Sequence, residues 1–210
     1  MTLLRIDATI QGPASASSSL ADLVLDEFRI VRPDVPVVSR HLAAEPLPAD
    51  AWATAISGYF SPEDQRTPEQ AAALDLAASL AQELRDADAA VLALPLYNFG
   101  VSQHVKTWID LAFAGAPNGT RLLEGTPVVL VVTRGGAYGE GTPREGWDHG
   151  TDFVRRILVD VWGADLTVIE REFTLVGVNP ALDEFTELAA LMKKEAEEAA
   201  VVAGRELASR

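Results

Sequence analysis

The sequence predicts a three-layer α/β sandwich, in which one parallel sheet of five strands is covered by helices on both faces. Two observations support this prediction. Short uncharged segments of branched and small residues alternate with longer segments of helical periodicity along the 210-residue chain. The central short segment, AAVLAL at 89–94, has neither charge nor alternation, which is typical of a strand buried on both faces. The expected strand order is 2-1-3-4-5, with ligands bound beyond the carboxyl ends of the strands.

The composition excludes several classes of function. A net charge of −14 opposes binding to a nucleic-acid backbone or an anionic membrane surface. The chain has no cysteine, and its three histidines lie far apart in sequence, so we predict no metal site. No segment approaches the roughly 18 apolar residues of a membrane span, and the chain starts on a strand-like segment with no targeting signal. We expect a single cytoplasmic domain over 1–210.

The first part of the chain predicts a β-α-β unit followed by an excursion. Residues 3–7 form a short strand, residues 8–17 a loop rich in hydroxyls, and residues 18–31 an amphipathic helix. Residues 35–42 form the second strand. We expect residues 43–68 to be irregular, with three aromatic side chains that cover the core, a partner subunit or a ligand: Trp52, Tyr59 and Phe60.

The middle of the chain predicts two capped helices on either side of the central strand. The segment Thr67-Pro68-Glu69-Gln70 has the pattern of a capping box, and the helix it starts ends near residue 86. After the strand at 89–94 comes an aromatic loop at 96–100, and Ser102 can cap the next helix. That helix places four apolar residues on one inward face: Val105, Trp108, Ile109 and Ala112.

The last third predicts two more strands and two more helices. Residues 126–132 form a buried strand that ends in a glycine-rich loop at 133–141. A helix at 151–162 and a half-exposed edge strand at 165–172 follow. Asn179-Pro180 caps the last helix, for which we expect a core-facing stripe of Leu182, Phe185, Leu188 and Met192.

Three distinctive loops leave the same edge of this predicted sheet. The loop after strand 1 suits a phosphate, because hydroxyls and a helix N-terminus meet there. The loop after strand 3 offers aromatic rings and an amide, and the loop after strand 4 offers glycine N–H groups and a cation. A ligand with a phosphate at one end and a planar heteroaromatic ring at the other fits all three, and flavin mononucleotide (FMN) is such a ligand. Each loop taken alone also has a simpler interpretation: the serines after strand 1 can be helix caps, and the glycines after strand 4 can form a plain flexible loop.

Three segments carry a resemblance to a known family. PLYNFG at 95–100, VSQHVKTWIDLAF at 101–113 and VVTRGG at 131–136 resemble the flavin-binding motifs of the FMN-dependent NADH-azoreductases. The resemblance spans nearly the whole chain and implies a flavodoxin-like fold, a homodimer and non-covalently bound FMN. It also implies the following cofactor-binding residues: Thr9, Ser15, Ala16, Ser17, Leu96, Tyr97, Asn98, Phe99, Thr133, Arg134, Gly135 and Gly136.

The resemblance also implies a reaction, the two-electron reduction of quinones or azo compounds. In this ping-pong scheme NADH or NADPH reduces the bound flavin and leaves before the acceptor enters the same cleft. We expect no catalytic acid or base from the protein, because the flavin carries the redox chemistry.

Two other functional classes remain open from the sequence. An electron carrier of the flavodoxin type would bind FMN and dock to a basic redox partner, which the acidic charge favours, but carriers of that type have no need of the 43–68 excursion. An α/β scaffold without flavin is the third hypothesis. NADH oxidation by the purified protein in the presence of a quinone would separate the enzyme from the carrier.

Overall fold

The computed structural model describes all 210 residues and contains one sheet in the order β2-β1-β3-β4-β5. Every pair of neighbouring strands is parallel. This confirms the predicted fold class, strand number and strand order. The strands are β1 (Leu3–Asp7), β2 (Val37–His41), β3 (Ala89–Ala93), β4 (Pro127–Thr133) and β5 (Asp165–Arg171).

Six α-helices surround the sheet. They are α1 (Ala16–Val31), α2 (Ala51–Tyr59), α3 (Pro68–Arg85), α4 (Gln103–Ala114), α5 (Thr151–Arg155) and α6 (Thr186–Ser209). A π-helical stretch, Arg156–Val161, continues α5. Short 3₁₀ helices occupy Gly12–Ala14, Glu63–Gln65 and Pro180–Phe185. None of these helices has both the length and the apolar character needed to cross a membrane.

The sheet separates two apolar cores because successive strand residues point to opposite faces. Leu4 and Ile6 of β1 face a core shared with α2, α3, α4 and α5. Leu3 faces the other core, which α1 and α6 cover. Strand β3 is buried along its whole length, as its uncharged sequence predicts.

The predicted helix caps of the middle segment are confirmed. Thr67 Oγ1 accepts from the Gln70 N–H at 3.2 Å, and Gln70 Oε1 accepts from the Thr67 N–H at 2.9 Å, which completes the capping box. Ser102 Oγ accepts from the Val105 N–H at 3.3 Å at the start of α4. Because this cap fixes where α4 begins, it also sets the length of the aromatic loop that precedes it.

The prediction that residues 43–68 are irregular is wrong, because this excursion contains helix α2. The buried residues of α2 are Ala51, Ala55 and Gly58, which form a narrow stripe of small residues. Such a stripe allows a close approach to α3, and a Cβ added at Gly58 would lie 3.0 Å from Gln70 Cβ. The large aromatics of the excursion instead point outward and are 46, 63 and 79% exposed for Trp52, Tyr59 and Phe60.

The predicted core stripe of the last helix is also wrong. Leu188 is 41% exposed, and Leu182, Phe185 and Met192 are only half-buried. The buried face of α6 consists of small residues and one leucine: Ala189, Ala196, Ala200, Ala203, Gly204, Leu207 and Ala208. A Cβ at Gly204 would lie 2.4 Å from the Val24 carbonyl oxygen, so α6 packs very closely on α1.

The register brings three loops to one edge of the sheet. Asp7 at the end of β1 is paired with Ala93 at the end of β3, and Ala93 is paired with Val131 near the end of β4. The loops that follow β1, β3 and β4 therefore leave the sheet side by side, as the strand order predicts.

Candidate functional site

The three loops enclose a cleft of about 210 Å³ at the carboxyl edge of the sheet. Most of the residues that the sequence resemblance singles out line it. These are Thr9, Ser15, Ala16, Ser17, Leu96, Tyr97, Asn98, Thr133 and Gly135. Phe99, Arg134 and Gly136 do not line this cleft.

The first wall of the cleft is the N-terminus of α1. Ser15 is the N-cap, and its Oγ accepts from the Ser18 N–H at 3.1 Å. The buried hydroxyls of Ser15 and Ser17 lie 3.1 Å apart. The N–H groups of Ala16 and Ser17 have no acceptor in the protein. Free N–H groups, two hydroxyls and the positive end of a 16-residue helix can together hold an oxyanion without a cation.

Asp7, which the sequence did not mark as part of the site, places a carboxylate near this wall. It is 7% exposed, and it accepts from Arg5 Nε and from Ser18 Oγ, each at 2.6 Å. Burial alone would lower the pKa of Arg5, but its hydrogen bonds and charge interactions with Asp7 and Asp22 raise it above its ordinary value. The Asp7 charge is therefore compensated locally, which limits its repulsion of an anion in the cleft.

The second wall is a strained two-residue turn in the aromatic loop. Tyr97 and Gly100 exchange two backbone hydrogen bonds of 3.0 Å, and Asn98 and Phe99 between them have φ of +48° and +69°. Asparagine tolerates this left-handed conformation, whereas phenylalanine rarely adopts it. A residue held in this way costs roughly 1–3 kcal/mol and persists only where its surroundings enforce it. The turn leaves the Asn98 side-chain amide without a partner in the protein, at the edge of the cleft.

Contacts from two other loops hold the turn in place. The His149 N–H donates to the Phe99 carbonyl oxygen at 2.8 Å, and the Phe99 ring packs edge-on against Trp147, with the centroids 5.4 Å apart. Tyr97 Oη accepts from the Ile10 N–H at 3.0 Å, which ties the turn to the loop after β1. The strained turn is thus fixed from both sides.

The third wall is the backbone of the glycine-rich loop. Gly135 and Gly136 donate no hydrogen bond from their N–H groups to the protein. The Leu175 N–H donates to the Gly135 carbonyl oxygen at 3.2 Å, and a Cβ at Gly135 would lie 2.6 Å from Leu175 Cδ1. A side chain at position 135 would push the end of the Leu175 side chain aside and change the shape of this wall.

Arg134 is turned away from the cleft. Its guanidinium group is 7% exposed and donates to Asp148 Oδ2 and Glu170 Oε2, each at 2.7 Å, and to Thr151 Oγ1 at 3.0 Å. Burial would lower the pKa of Arg134, but Glu170 and Asp148 raise it. Arg134 is therefore part of an internal ion cluster, and this cluster anchors the start and the end of the loop that follows β4.

Besides Gln11 and Pro95, which belong to the two predicted loops after β1 and β3, sequence reasoning missed four residues that line the cleft: Tyr138, Arg144, Thr174 and Leu175. The Arg144 guanidinium lies 5.7 Å from the centre of the Tyr138 ring and is the cation that borders the cleft. No motif marks these positions, because they lie in the long loops after β4 and β5, and only the folding of those loops brings them to the cleft. Only the glycines of the 133–141 segment indicated that its backbone is approached closely.

The lining fits a ligand that is anionic at one end and planar at the other. Unpaired N–H groups and buried hydroxyls meet at α1, while Tyr97, the free Asn98 amide and the Gly135 backbone line the rest of the cleft. The N–H groups of α1 and the backbone of the aromatic loop are preformed, because the capping bond of Ser15 and the strained turn fix them.

Comparisons with known proteins agree with this chemistry. The family described as flavodoxin-like fold matches residues 1–196. A protein of Frankia alni named FMN-dependent NADH:quinone oxidoreductase is 40% identical over 191 residues, which covers 89% of this chain and 90% of that protein. A protein of Streptomyces avermitilis with the same name is 35% identical over 213 residues, covering 100% and 98% of the two chains.

Solved structures share the fold at lower sequence identity. The azoreductase AzrA is 23% identical with a TM-score of 0.80, over 98% of this chain and 100% of that one. An FMN-dependent NADH-azoreductase of Bacillus anthracis, solved in complex with FMN, is 20% identical with a TM-score of 0.76, over 97% and 100%.

Proposed function

Since the chain belongs to the flavodoxin-like family of FMN-dependent NADH:quinone oxidoreductases, we propose that the cleft described above is its FMN site and the place where quinones are reduced. The enzyme takes electrons from NADH. The observation that supports this location best is the meeting of free α1 N–H groups and the free Asn98 amide in one preformed cleft. Quinones are the primary acceptors, and azo compounds are the second class that we propose.

Each wall of the cleft has a separate task in holding the cofactor. Ser15, Ala16 and Ser17 would bind the phosphate through hydroxyl and N–H groups. Tyr97 and Asn98 would contact the ring system from the aromatic loop, and Gly135 from the loop after β4. When bound, FMN supplies the hydride and electron transfer, so the protein needs no catalytic acid or base.

The chain's residues act on charge and position. The free N–H group of Gly135 is a fixed backbone donor, and the Asn98 amide is a second donor at the cleft; both can stabilise negative charge on a bound group. Arg144 adds a positive charge at the cleft. Phe99 and Arg134 act indirectly, because the first packs behind the strained turn and the second anchors the adjoining loop.

A multiple-turnover assay tests the proposed function. Purified protein loaded with FMN is mixed with NADH and a soluble benzoquinone without air, and NADH oxidation is followed. We expect many turnovers per flavin with no added partner protein. A protein that binds FMN but leaves NADH unoxidised in the presence of the quinone would instead be an electron carrier of the flavodoxin type.

We also propose a homodimer that uses the outward aromatics of the α2 region. Tyr59 and Phe60 pack edge to face with ring centres 5.3 Å apart, and both are largely exposed. Trp52 adds a third exposed ring on the same helix. A cluster of this size on the surface favours a protein contact.

Two substitutions of Asn98 distinguish the role of its side-chain amide from the role of its left-handed backbone conformation. Both Asn98→Gly and Asn98→Ala lose the free amide, so we expect each to weaken FMN binding about tenfold, the effect of one hydrogen bond. Asn98→Ala should also lower the free energy of unfolding by roughly 1 kcal/mol, since alanine is strained at φ +48° and glycine is not. Flavin titration and urea denaturation measure the two effects. Wild-type FMN affinity in Asn98→Gly would remove this amide from the site.

A further inference from the structure

A second cavity opens directly beside the cofactor cleft. It has a volume of about 620 Å³ and shares Gly135, Arg144 and Leu175 with the cleft as common walls. Pockets of roughly 300–1,000 Å³ are typical of small-molecule sites. Nothing in the binding of the phosphate or the ring system described above uses this space.

The far wall of the cavity is apolar. Phe173 and Phe185 stack with their ring centres 4.9 Å apart and their planes at 27°. Three aliphatic side chains from the Pro180–Phe185 turn and the start of α6 complete this wall: Leu182, Leu188 and Met192. These are the residues whose spacing predicts a core stripe, yet they face the cavity and remain partly exposed to water. An apolar ligand that covers them would gain binding free energy in proportion to the area removed from water.

The charges around the cavity oppose an anionic ligand there. Glu140 and Glu172 both border it. Glu172 Oε1 accepts from the Tyr138 N–H at 2.8 Å and lies 3.8 Å from Arg134, so it is fixed in place. The only positive group in the lining is Arg144, which stands at the boundary with the cofactor cleft. The carboxylates in this cavity would repel the pyrophosphate of a dinucleotide, whereas they would not repel an uncharged apolar chain.

We propose that this second cavity binds the apolar side chain of the quinone substrate, while the quinone head is reduced in the adjoining cleft. The inference rests on the proposed function and narrows its substrate class to quinones with an alkyl or isoprenoid tail. Gly135, Arg144 and Leu175 line both spaces, so the two adjoin, and a molecule whose head lies at the cleft would need only a short reach for its tail to enter the second cavity. The proposal gives a role to the exposed apolar face of the early part of α6.

Steady-state kinetics with two quinones that differ only in the tail test this proposal. The probes are a dimethoxy-methyl-benzoquinone without an isoprenoid unit and the same head group with two units. We expect the KM of the tailed quinone to be at least about tenfold lower in the wild type, because each buried CH₂ contributes about 0.8 kcal/mol. Equal KM values for the two quinones would overturn the proposal and would leave quinone reduction itself intact.

A pair of leucines on α6 provides a matched variant and control. Leu188→Asn alters the cavity wall, whereas Leu191→Asn alters a leucine that is 52% exposed and does not line the cavity. We expect Leu188→Asn to reduce the preference for the tailed over the tailless quinone, as a ratio of kcat/KM, about fivefold. Leu191→Asn should leave that ratio unchanged. The flavin content of both variants controls for folding.

Two further results would contradict the tail site. An equal fall in kcat/KM for both quinones in Leu188→Asn would mean that the residue affects the cleft as a whole. A change in sedimentation coefficient caused by Leu188→Asn, with an unaltered quinone preference, would mean that a second copy of the chain covers this face. Failure to reduce even the tailless quinone would refute the proposed function, which is a different outcome from failure of the tail site.

Discussion

Replacing Ser17 by aspartate should abolish FMN binding while leaving the fold intact. Ser17 is fully buried at the start of α1, and its N–H and hydroxyl face the cleft that we assign to the phosphate. A carboxylate there would occupy the donors itself and repel the phosphate, and two charges 4 Å apart interact by about 4 kcal/mol at an effective dielectric constant of 20. We therefore expect the dissociation constant of FMN to rise by more than about 100-fold. An acidic residue in the first turn is compatible with the helix.

Ser19→Asp is the matched control for this substitution. It adds the same charge within the same helical turn, but Ser19 is exposed and does not line the cleft. Screening by water and salt should keep its effect on FMN affinity within about threefold. Fluorescence titration with FMN measures both variants, and far-ultraviolet circular dichroism verifies the fold. If Ser17→Asp bound FMN as tightly as Ser19→Asp does, the phosphate would lie elsewhere.

Replacing Arg134 by leucine should have the largest effect on stability. It removes the cation that pairs with the largely buried Asp148 and the more exposed Glu170, and it leaves the Asp148 carboxylate with only neutral donors, from Gly150 and Thr151. Breaking a buried ion pair from one side typically costs about 3–5 kcal/mol. The exposed pair of Arg156 and Asp160 supplies the control, because Arg156→Leu should change the free energy of unfolding by at most about 0.5 kcal/mol. Urea denaturation at neutral pH measures both, and equal effects of the two substitutions would contradict the role given to the cluster.

The stability deficit of Arg134→Leu should depend on pH. Burial alone would raise the pKa of Asp148, but hydrogen bonds from Thr151, Arg134 and Gly150 lower it below its ordinary value. The stabilisation from Asp148 is therefore fully present above the unfolded-state pKa of about 3.9 and is lost as the pH falls through the lower folded-state pKa. Because Arg134→Leu has already lost the share of this contribution that comes from Arg134, the gap between wild type and variant should shrink below about pH 4. A gap of constant size from neutral to acidic pH would contradict this assignment.

The sequence determines the sheet and the cleft because both depend on local signals. A short uncharged run such as 89–94 that ends at a proline is typical of a strand that is covered on both faces. The capping residues Thr67 and Ser102 fix where two helices begin. Once the strand order is known, the carboxyl ends of β1, β3 and β4 must lie at one edge, and the loops that follow them must leave the sheet side by side.

The helices that the sequence misplaced pack through small residues. In α6 the buried residues are mainly alanines and Gly204, while the larger leucines face a cavity. In α2 the buried stripe is again alanine and glycine. A prediction based on hydrophobicity places the larger leucines in the core. In the structure, however, only small side chains allow α6 and α1 to approach as closely as they do.

The destination of Arg134 could not be predicted because its partners lie far away in sequence. Asp148 is 14 positions away, and Glu170 is 36. The TRGG motif places a cation beside the cleft, but three acceptors on other segments turn the side chain away from it. The same reasoning applies to the strained turn, whose backbone is held by His149 from a distant loop. Long-range contacts of this kind leave no periodic trace in the sequence.

The most direct test of the central claim is the visible absorption spectrum of the purified protein, repeated on the supernatant after heat denaturation. We predict a flavin spectrum in the native protein and free FMN in the supernatant, which would establish the cofactor and its non-covalent binding. A colourless protein that also failed to take up added FMN would contradict the assignment of the cleft and favour a scaffold without flavin.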